Sequence, residues 1–419
     1  MRVLVLGSGA KDHALAWWLS RSHFIEDLYV APGNYGTEAL AINLDINPED
    51  FGQVYQACLD HHIDFVFIGT EKPLFSAMVD KLTEKGIECF GCPSKSLKLE
   101  GDRDFARAFT DRHNIPTPSH KLFSDAKTME AFLLRHRGER LVIKSKGPAP
   151  SRMMIDTTDT QQLIAFGKEL LKRGDILVEE HLRGLSLSVT ALVDNKGYLL
   201  LPFSSDYSKT QHEEGIPTGG MGAICPVPIS DELSQELVNR IINPTIYGMG
   251  VEKLTYHGVL TFSVILSKDG PILVDYHVRF NDPSAQAIIP LIKSDALDIM
   301  YAMEHDNLGG YQLSVSTQST VAIVIASKGY PQAPEIGKVL DPLPAYMQLN
   351  SFKDEPQVFF GAVERHDGQP STVGGRPVTI VGKGENINMA NKNAYAKINK
   401  IHFEGSWYRQ DIGERFLGN

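Results

Sequence analysis

The chain has 419 residues, of which 42% are hydrophobic and 22% charged, and its formal net charge is −10. This length predicts two to four domains with buried cores. The acidic balance disfavours a nucleic-acid partner, because a phosphate backbone needs a basic surface. No apolar run is long enough to cross a bilayer, and no signal peptide precedes the first strand, so we expect a cytoplasmic protein without membrane association.

A glycine-rich turn follows the first apolar run. Residues 2–6 predict a strand, and Gly7, Ser8, Gly9, Asp12 and His13 belong to the turn that opens the next helix. A strand, a glycine-rich turn and a helix start together predict an anion site. The spacing is GxGxxD rather than GxGxxG, which disfavours NAD and leaves a phosphate-bearing small molecule open.

Strands and helices alternate through the first 100 residues. Buried runs at 28–30, Phe65–Ile68 and 87–90 are separated by helical patterns at 51–61 and 76–85. This alternation predicts a doubly wound parallel sheet. Ligands of such sheets bind beyond the carboxyl ends of the strands, where the glycine-rich turn and two further loops fall. Those two loops contain Gly33 and Asn34, and Thr70, Glu71 and Pro73.

The pattern changes after residue 97. Residues 94–112 predict a charged helix, and the two prolines within 114–118 predict a hinge into a new domain. A strand at 141–144 ends in Lys144 and leads into a loop, an arrangement that can hold triphosphate oxygens, although an exposed edge-strand lysine is the simpler alternative. Residues 218–222 predict a flexible glycine-rich loop that allows close approach to a ligand. Helices are predicted at 231–250 and 286–303.

One predicted strand carries three polar side chains on one face. Side chains alternate along a strand, so Asp275, His277 and Arg279 point the same way. An acid and an imidazole suit a cation, and a guanidinium suits an anion, so this face fits a metal–phosphate site. The alternative is an amphipathic edge strand with a salt bridge. The other face, with Val274, Tyr276 and Val278, is predicted to be core.

The final hundred residues carry no strong catalytic motif. Short strands at 321–325, 357–362 and 377–381, with a helix at 389–398, predict a mixed α+β domain. We therefore expect a multidomain protein of α/β and α+β class. The predicted limits are 1–100 for the parallel-sheet domain, 101–315 for a central domain with a smaller lid at about 117–190, and 316–419 for the last domain.

The ordered set of motifs resembles the ATP-grasp ligases and, within them, the phosphoribosylamine–glycine ligases. The resemblance spans nearly the whole chain, and no single motif carries it. The matching pieces are residues 3–14, 30–34, 69–74, 99–101, 113–117, 142–144, 178–180, 218–223, 279–283, 328–331 and 374–376.

The resemblance implies a reaction and its participants. ATP would phosphorylate the carboxylate of glycine, and 5-phosphoribosylamine would attack the acyl phosphate, a step of purine synthesis. ATP and Mg²⁺ or Mn²⁺ would be the cofactors, the two small molecules the partners, and the chain a monomer or weak homodimer. The catalytic residues would be Lys144, Arg152 and Arg279.

The other roles follow from the same resemblance, position by position. ATP would be held by Arg103, Lys144, Glu179, Glu180, His181, Leu182 and Ser186, and the metal by Asp275 and His277. The two substrates would be held by Gly7, Ser8, Gly9, Asp12, His13, Gly33, Asn34, Thr70, Glu71, Pro73, Gly219, Gly220, Met221, Gly222, Arg279, Asp282 and Pro283.

The departures from the family pattern cluster on the ATP side. Asp275 and His277 stand where the family has glutamate and asparagine, and imidazole suits Mn²⁺ or Zn²⁺ better than Mg²⁺. Two prolines stiffen the loop that ends at Arg152. The alternative hypothesis is therefore a divergent paralogue, either a ligase for another amine and carboxylate or a ligand-binding protein with impaired ATP turnover.

Overall fold

The computed structural model describes residues 1–147, 154–212, 215–342 and 358–417. Its first unit is a parallel sheet flanked by helices. The elements are β1 (Arg2–Gly7), α1 (Ala10–Ser20), β2 (Asp27–Pro32), β3 (Ile42–Asn43), α2 (Phe51–Asp60), β4 (Phe65–Ile68), α3 (Glu71–Phe75), α4 (Met78–Thr83) and β5 (Glu88–Phe90).

The strand order in this sheet is β3-β2-β1-β4-β5, and all four pairings are parallel. The predicted doubly wound sheet is therefore confirmed. The chain order reverses between β1 and β4, and such a switch point opens a crevice beyond the carboxyl ends of the strands. The glycine-rich turn after β1 and the loop after β4 both lie at this crevice.

The helix predicted at 94–112 is two helices, α5 (Lys98–Gly101) and α6 (Arg103–Arg112). The break falls at Asp102, whose backbone is extended with a φ of −138°. The Asp102 side chain accepts hydrogen bonds from the backbone N–H groups of Asp104 and Phe105. A carboxylate that caps a helix start in this way favours a new helix over continuation of the old one.

A smaller antiparallel sheet follows, with the strand order β6-β9-β7-β8 and its own hydrophobic core, which includes Met129, Ile143 and Leu163. It runs from His120 to Glu180. Its elements are β6 (His120–Phe123), α7 (Ala126–Arg135), β7 (Leu141–Ser145), β8 (Met154–Thr157), α8 (Thr160–Leu171) and β9 (Ile176–Glu180).

The central part of the chain then adds strands to two further sheets. Its elements are β10 (Leu185–Val193), β11 (Tyr198–Leu200), β12 (Ser205–Lys209), β13 (Pro217–Cys225), α9 (Asp231–Leu237), α10 (Asn243–Val251), β14 (Gly258–Ser267), β15 (Gly270–His277), α11 (Ser284–Ile288) and α12 (Ala296–Glu304). The helices predicted at 231–250 and 286–303 are both interrupted, by a π-helical turn at Val238–Ile242 and a 3-10 turn at Ile289–Leu291.

Strand β15 lies at the edge of the sheet β11-β10-β14-β15 and pairs antiparallel with β14. The pairing skips Val274, because Leu273 faces Val264 while Asp275 faces Ser263. Val274 is only half-buried, which corrects its predicted core position, whereas Tyr276 and Val278 are buried as predicted.

The predicted glycine-rich loop at 218–222 is part of strand β13, which pairs with β12. The glycines serve close packing rather than chain flexibility. Gly220 has a φ of +115°, and a Cβ there would lie 2.3 Å from the carbonyl oxygen of Asp282. A side chain at this position would therefore collide with the backbone that follows β15.

The last elements are β16 (Ser319–Ile325), β17 (Val358–Phe360), β18 (Val363–His366), β19 (Gln369–Thr372), β20 (Val378–Gly384) and α13 (Ile387–Ile398). Three of these strands complete a sheet with the order β12-β13-β16-β20-β17, so the C-terminal part shares a sheet with the central part. Within the described residues, the helices are all too short or too polar to span a lipid bilayer.

Candidate active site

Strand β15 and the turn after it form the axis of the candidate site. Asp275 and His277 lie on the strand, and Arg279 lies two residues further, against the crevice of the parallel sheet. The site therefore has two ends. One end lies between the small antiparallel sheet and helix α6, and the other lies at the switch point.

Lys144, at the end of β7, is the centre of the first end. It is only 4% exposed, and its Nζ lies 2.8 Å from Glu179 Oε2 and 3.0 Å from Asp275 Oδ2. Arg103 approaches from helix α6, with its Nε 3.4 Å from Asp275 Oδ1. The structure thus brings together four of the predicted nucleotide and metal residues. Their roles stay predictions.

Arg107 also belongs to this cluster, although the sequence analysis assigned it no role. Its Nε donates a hydrogen bond of 3.0 Å to Glu179 Oε1, and the residue is 3% exposed. Arg107 lies one helical turn after Arg103, so the two guanidinium groups share a face of α6. That four-residue spacing was the available signal.

The cations control the ionisation of the two carboxylates. Burial opposes the charged form of Asp275, but Lys144, Arg103 and Arg107 outweigh burial and hold the pKa of this carboxyl well below its usual range. Burial likewise opposes the charged form of Glu179, and Lys144 and Arg107 again lower its pKa. Both carboxylates are therefore charged at neutral pH.

The remaining residues predicted to bind ATP lie beside this cluster. Glu180 accepts a hydrogen bond of 2.8 Å from the backbone N–H of Ser119, and His181 Nδ1 lies 3.1 Å from Asp156 Oδ1. Leu182 is half-buried and Ser186 is exposed at the start of β10. Arg152, predicted to be catalytic, lies outside the described residues.

Arg279 marks the second end, at the crevice of the parallel sheet. Its Nη2 pairs with Glu71 from helix α3 and lies 3.2 Å from Glu100 Oε1. Glu100 also accepts a hydrogen bond of 2.8 Å from the backbone N–H of Val278. Glu100 belongs to the recognised piece 99–101, but the sequence analysis assigned it no role. Thr70 directly precedes the short helix α3 beside this contact, and Pro73 lies within that helix.

The glycine-rich turn closes on its own helix. The backbone N–H of Gly9 donates a 2.8 Å hydrogen bond to Asp12 Oδ2, and a Cβ on Gly7 would collide with the Asp12 carboxylate. Burial raises the pKa of Asp12. Lys11, in the same turn, is only 7% exposed and was given no role. A basic residue inside the turn was the signal.

Two predicted substrate residues point away from the crevice. His13 is 1% exposed, its Nδ1 accepts a 2.9 Å hydrogen bond from the backbone N–H of Phe360, and burial lowers its pKa to about 3. The Asn34 side chain donates to the carbonyl oxygens of Ser8 and Phe360 at 2.8 and 2.7 Å. Gly33 packs beside them against Asn43. These side chains join the parallel sheet to β17.

The glycine stretch of β13 reaches the same end of the site through Arg376. The Arg376 Nη1 donates to the carbonyl oxygen of Gly219 at 2.8 Å and lies 3.1 Å from Asp282 Oδ1. Arg376 was part of a recognised motif without an assigned role. The neighbouring predicted substrate residues Met221, Gly222 and Pro283 are buried.

Comparisons with known proteins match the chain along nearly its full length. Residues 1–100, 101–285 and 320–415 match the N, ATP-grasp (A) and C domains of phosphoribosylglycinamide synthetase. The chain is 34% identical to a phosphoribosylamine–glycine ligase from Caldanaerobacter subterraneus, covering 98% of this chain and 99% of the relative. This chain belongs to the phosphoribosylamine–glycine ligase family.

Other relatives extend this picture. The chain is 33% identical to the trifunctional purine biosynthetic protein adenosine-3 of Gallus gallus over 99% of its length but spans only 42% of that protein. It is similar in structure to the phosphoribosylamine–glycine ligase of Thermotoga maritima, with a TM-score of 0.81, 27% identity and coverage of 98% and 100% of the two chains. A biotin carboxylase domain of Hydrogenobacter thermophilus, at 13% identity and a TM-score of 0.71, shares the fold.

ATP-grasp enzymes such as this ligase family use ATP with a divalent metal. The residues at the metal positions here do not fit a Mg²⁺ ion, which takes oxygen ligands. Both oxygens of Asp275 face cations, and His277 Nε2 lies 3.0 Å from Ser263 Oγ. Burial opposes protonation of His277, but Glu100 outweighs burial and raises its pKa, which favours a form that cannot bind metal.

The wider surroundings give the same result. Across residues 1–147, 154–212, 215–342 and 358–417, no group of three or more His, Cys, Asp or Glu side chains is arranged to hold a metal ion. Glu179 shares Lys144 and Arg107 with Asp275, and its two oxygens already face Arg107 and Lys144. The first end of the site, around Lys144, is therefore built from protein cations and the carboxylates that pair with them.

Proposed function

We propose that this chain joins glycine to 5-phosphoribosylamine at the expense of ATP and forms glycinamide ribonucleotide, ADP and phosphate. One observation carries the proposal. Strand β15 leads directly from the Lys144–Asp275 contact to Arg279 at the switch point. A nucleotide at the first end and a phosphorylated sugar at the crevice would then meet at the same turn. The full-length similarity to named ligases supports the assignment.

The chemistry needs two transfers. A carboxylate oxygen of glycine attacks the γ-phosphorus and ADP leaves; the amine nitrogen then attacks the acyl carbon, phosphate leaves, and the amine gives up a proton. Lys144, Arg103 and Arg107 would offset the charge of the triphosphate at the first end. Arg279 would stabilise the anionic acyl phosphate at the second.

The remaining expectations belong to the same proposal. Glycine and 5-phosphoribosylamine would be the partners of a monomer or weak homodimer, and the reaction would take place in the cytoplasm as part of purine synthesis. The division at residues 1–100, 101–315 and 316–419 would separate the sugar-binding sheet, the nucleotide-binding part and the C-terminal part. Gel filtration of the full chain with and without ATP tests the oligomeric state.

The direct test is ADP formation coupled to glycinamide ribonucleotide formation, with glycine and freshly prepared 5-phosphoribosylamine, in Mg²⁺ and separately in Mn²⁺. We expect product only when both substrates and ATP are present. ADP release that does not depend on the amine would contradict the proposal, as would the absence of product in both metals.

A second candidate is a protein that binds the ribosyl ligand but turns ATP over poorly. The specific observation in its favour is that the carboxylate of Asp275 is held by Lys144 and Arg103 rather than left open. This candidate predicts tight binding of glycinamide ribonucleotide without turnover in either metal. Calorimetry with this compound, run beside the turnover assay, separates the two candidates.

A further inference from the structure

Two buried polar atoms and one largely buried ammonium lack partners where helix α1 faces Arg279. Asp12 Oδ1 and Arg279 Nε are buried and make no hydrogen bond. Lys11 is only 7% exposed to solvent. Among the described residues, its side chain makes neither a hydrogen bond nor an ion pair within 4 Å. Such a concentration of unsatisfied groups is unusual, because nearly all buried polar atoms in folded proteins are paired.

Lys11 lies at the switch point, because helix α1 starts directly after the carboxyl end of β1. The groups that act on it electrostatically are Asp12, Arg279, Asp282 and Glu100, and these come from three separate segments of the chain. Burial lowers the pKa of Lys11 to about 8, which Asp12 partly opposes. Arg279 likewise interacts electrostatically with Asp282, Arg376 and Asp12. The start of α1, together with these neighbouring charges, places Lys11 at the second end of the site.

The Lys11 side chain is largely withdrawn from solvent, and among the described residues no carboxylate lies within ion-pair distance of its ammonium, so its charge is poorly compensated in the folded chain. Groups of this kind are expected where a ligand completes the pairing. Lys11 also lies in the first turn of α1, an eleven-residue helix whose N-terminus favours negative charge. Both features point to an anion.

We propose that Lys11 binds the phosphate group of the 5-phosphoribosylamine substrate and is thus a further substrate-contacting residue. This inference rests on the proposed function. Phosphate is favoured over the glycine carboxylate because Lys11 follows β1 at the switch point, where phosphorylated ligands of doubly wound sheets bind. The glycine stretch of β13 instead lies against Arg376, whose Nη1 donates to the carbonyl oxygen of Gly219.

The test compares Lys11→Met with the wild-type chain in steady-state kinetics and in calorimetry with ribose 5-phosphate, a stable probe that carries the phosphate but not the amine. We expect the KM for 5-phosphoribosylamine and the Kd for ribose 5-phosphate to rise about 10-fold or more, as for loss of a charged hydrogen bond. The KM values for ATP and glycine should stay within about 2-fold. Lys11→Arg, which keeps the charge, should recover most of the loss.

Lys168→Met is the matched control, because Lys168 lies on the surface of α8 and its change should alter none of these constants. Unchanged ribose 5-phosphate affinity in Lys11→Met would overturn the inference, and so would a raised KM for glycine in place of 5-phosphoribosylamine. Circular dichroism checks that each variant folds, and Lys11→Gln replaces the methionine variant if that one does not.

The proposed function and the inference can fail separately. If the wild type forms product and Lys11→Met shows normal kinetics, the ligase function is supported and the phosphate contact of Lys11 is rejected. If the wild type shows no turnover but binds ribose 5-phosphate, and Lys11→Met loses that binding, the phosphate contact is supported and the ligase function is rejected. A wild type that binds no ribose 5-phosphate would overturn the inference outright.

Discussion

At the scale of single residues, buried charged side chains dominate the first end of the site, around Lys144. Arg103, Arg107 and Lys144 supply three positive charges. The two carboxylates that they contact, Glu179 and Asp275, supply two negative charges. Each partner replaces hydration that the other has lost, so removing one would leave the other uncompensated. The excess of positive charge suits a pocket that receives phosphate oxygens.

His277→Asn should improve turnover supported by Mg²⁺. The change removes an imidazole whose pKa is raised by Glu100 and puts an amide oxygen at a position that the family resemblance assigns to the metal. Oxygen suits Mg²⁺ better than a ring nitrogen does. The measurement is kcat in Mg²⁺ and in Mn²⁺ for the variant and the parent. A variant no better than its parent in Mg²⁺ would contradict the metal argument.

Lys11→Met should stabilise the protein at pH 7 while weakening substrate binding. The folded-state pKa of Lys11 is about 8 and its ordinary value is 10.5. The unfolded chain thus holds more protons between these values, so wild-type stability rises with pH across that window, and the full penalty is present below it. The gain at pH 7 should be about 3 kcal/mol, from a pKa difference of about 2.5 units, and should largely vanish near pH 10.5.

Urea unfolding at pH 7 and at pH 10 checks this dependence, with Lys168→Met as the surface control that should show no comparable change between the two pH values. A variant that is equally or less stable than the wild type at pH 7 would show that the Lys11 ammonium is better compensated than its surroundings indicate. The stability test does not depend on catalytic activity, so it remains informative whatever the reaction is.

At the scale of elements, local patterns predicted what local forces determine. Alternating apolar runs and turns predicted the parallel sheet, and β15 was predicted with its polar face. The prediction of a single helix at 94–112 was wrong because Asp102 caps a second helix. The charged composition of the whole segment gave no sign of this break. The prediction of a flexible loop at 218–222 was wrong because these glycines allow close backbone contact with residue 282. That residue is more than 60 positions away, so the local sequence could not indicate the contact.

Gly220→Ala tests this reading of strand β13. The new methyl group would lie 2.3 Å from the Asp282 carbonyl oxygen and at a φ of +115°, so we expect a loss of about 2–4 kcal/mol in stability. Gly250→Ala is the matched control, because nothing lies within 4 Å of its Cβ and the residue is in helix α10. The control should gain up to about 1 kcal/mol. Chemical denaturation of both variants measures the difference.

Equal stability of the Gly220→Ala variant and the wild type would mean that β13 and the turn after β15 can move apart at little cost. The glycines would then serve flexibility, as the sequence first indicated. Retained stability with a raised KM for glycine would instead separate substrate contact from packing at this strand.

At the scale of the whole molecule, the site is assembled from contacts that no sequence spacing reveals. Arg107 and Glu179 are 72 residues apart, and Arg376 reaches Gly219 across 157 positions. Strand alternation could place Asp275 and Arg279 on one face. It could not show that Lys144 would neutralise the first, or that Glu71 would pair with the second. Three-dimensional packing of separate segments decides those partners.

The shared sheet makes a prediction about the whole chain. Strand β16 is buried along all seven residues and pairs with β13 on one side and β20 on the other. A chain cut after residue 315 would therefore expose the paired edge of β13 and the apolar surface beneath it, which favours aggregation. We expect the 1–315 fragment to be insoluble alone and to be rescued by co-expression of residues 316–419. Gel filtration and near-ultraviolet circular dichroism are the measurements, with the full chain as control. A soluble, monomeric 1–315 fragment with native packing signals would show that the central sheet closes without β16, and that the C-terminal part docks on a finished core.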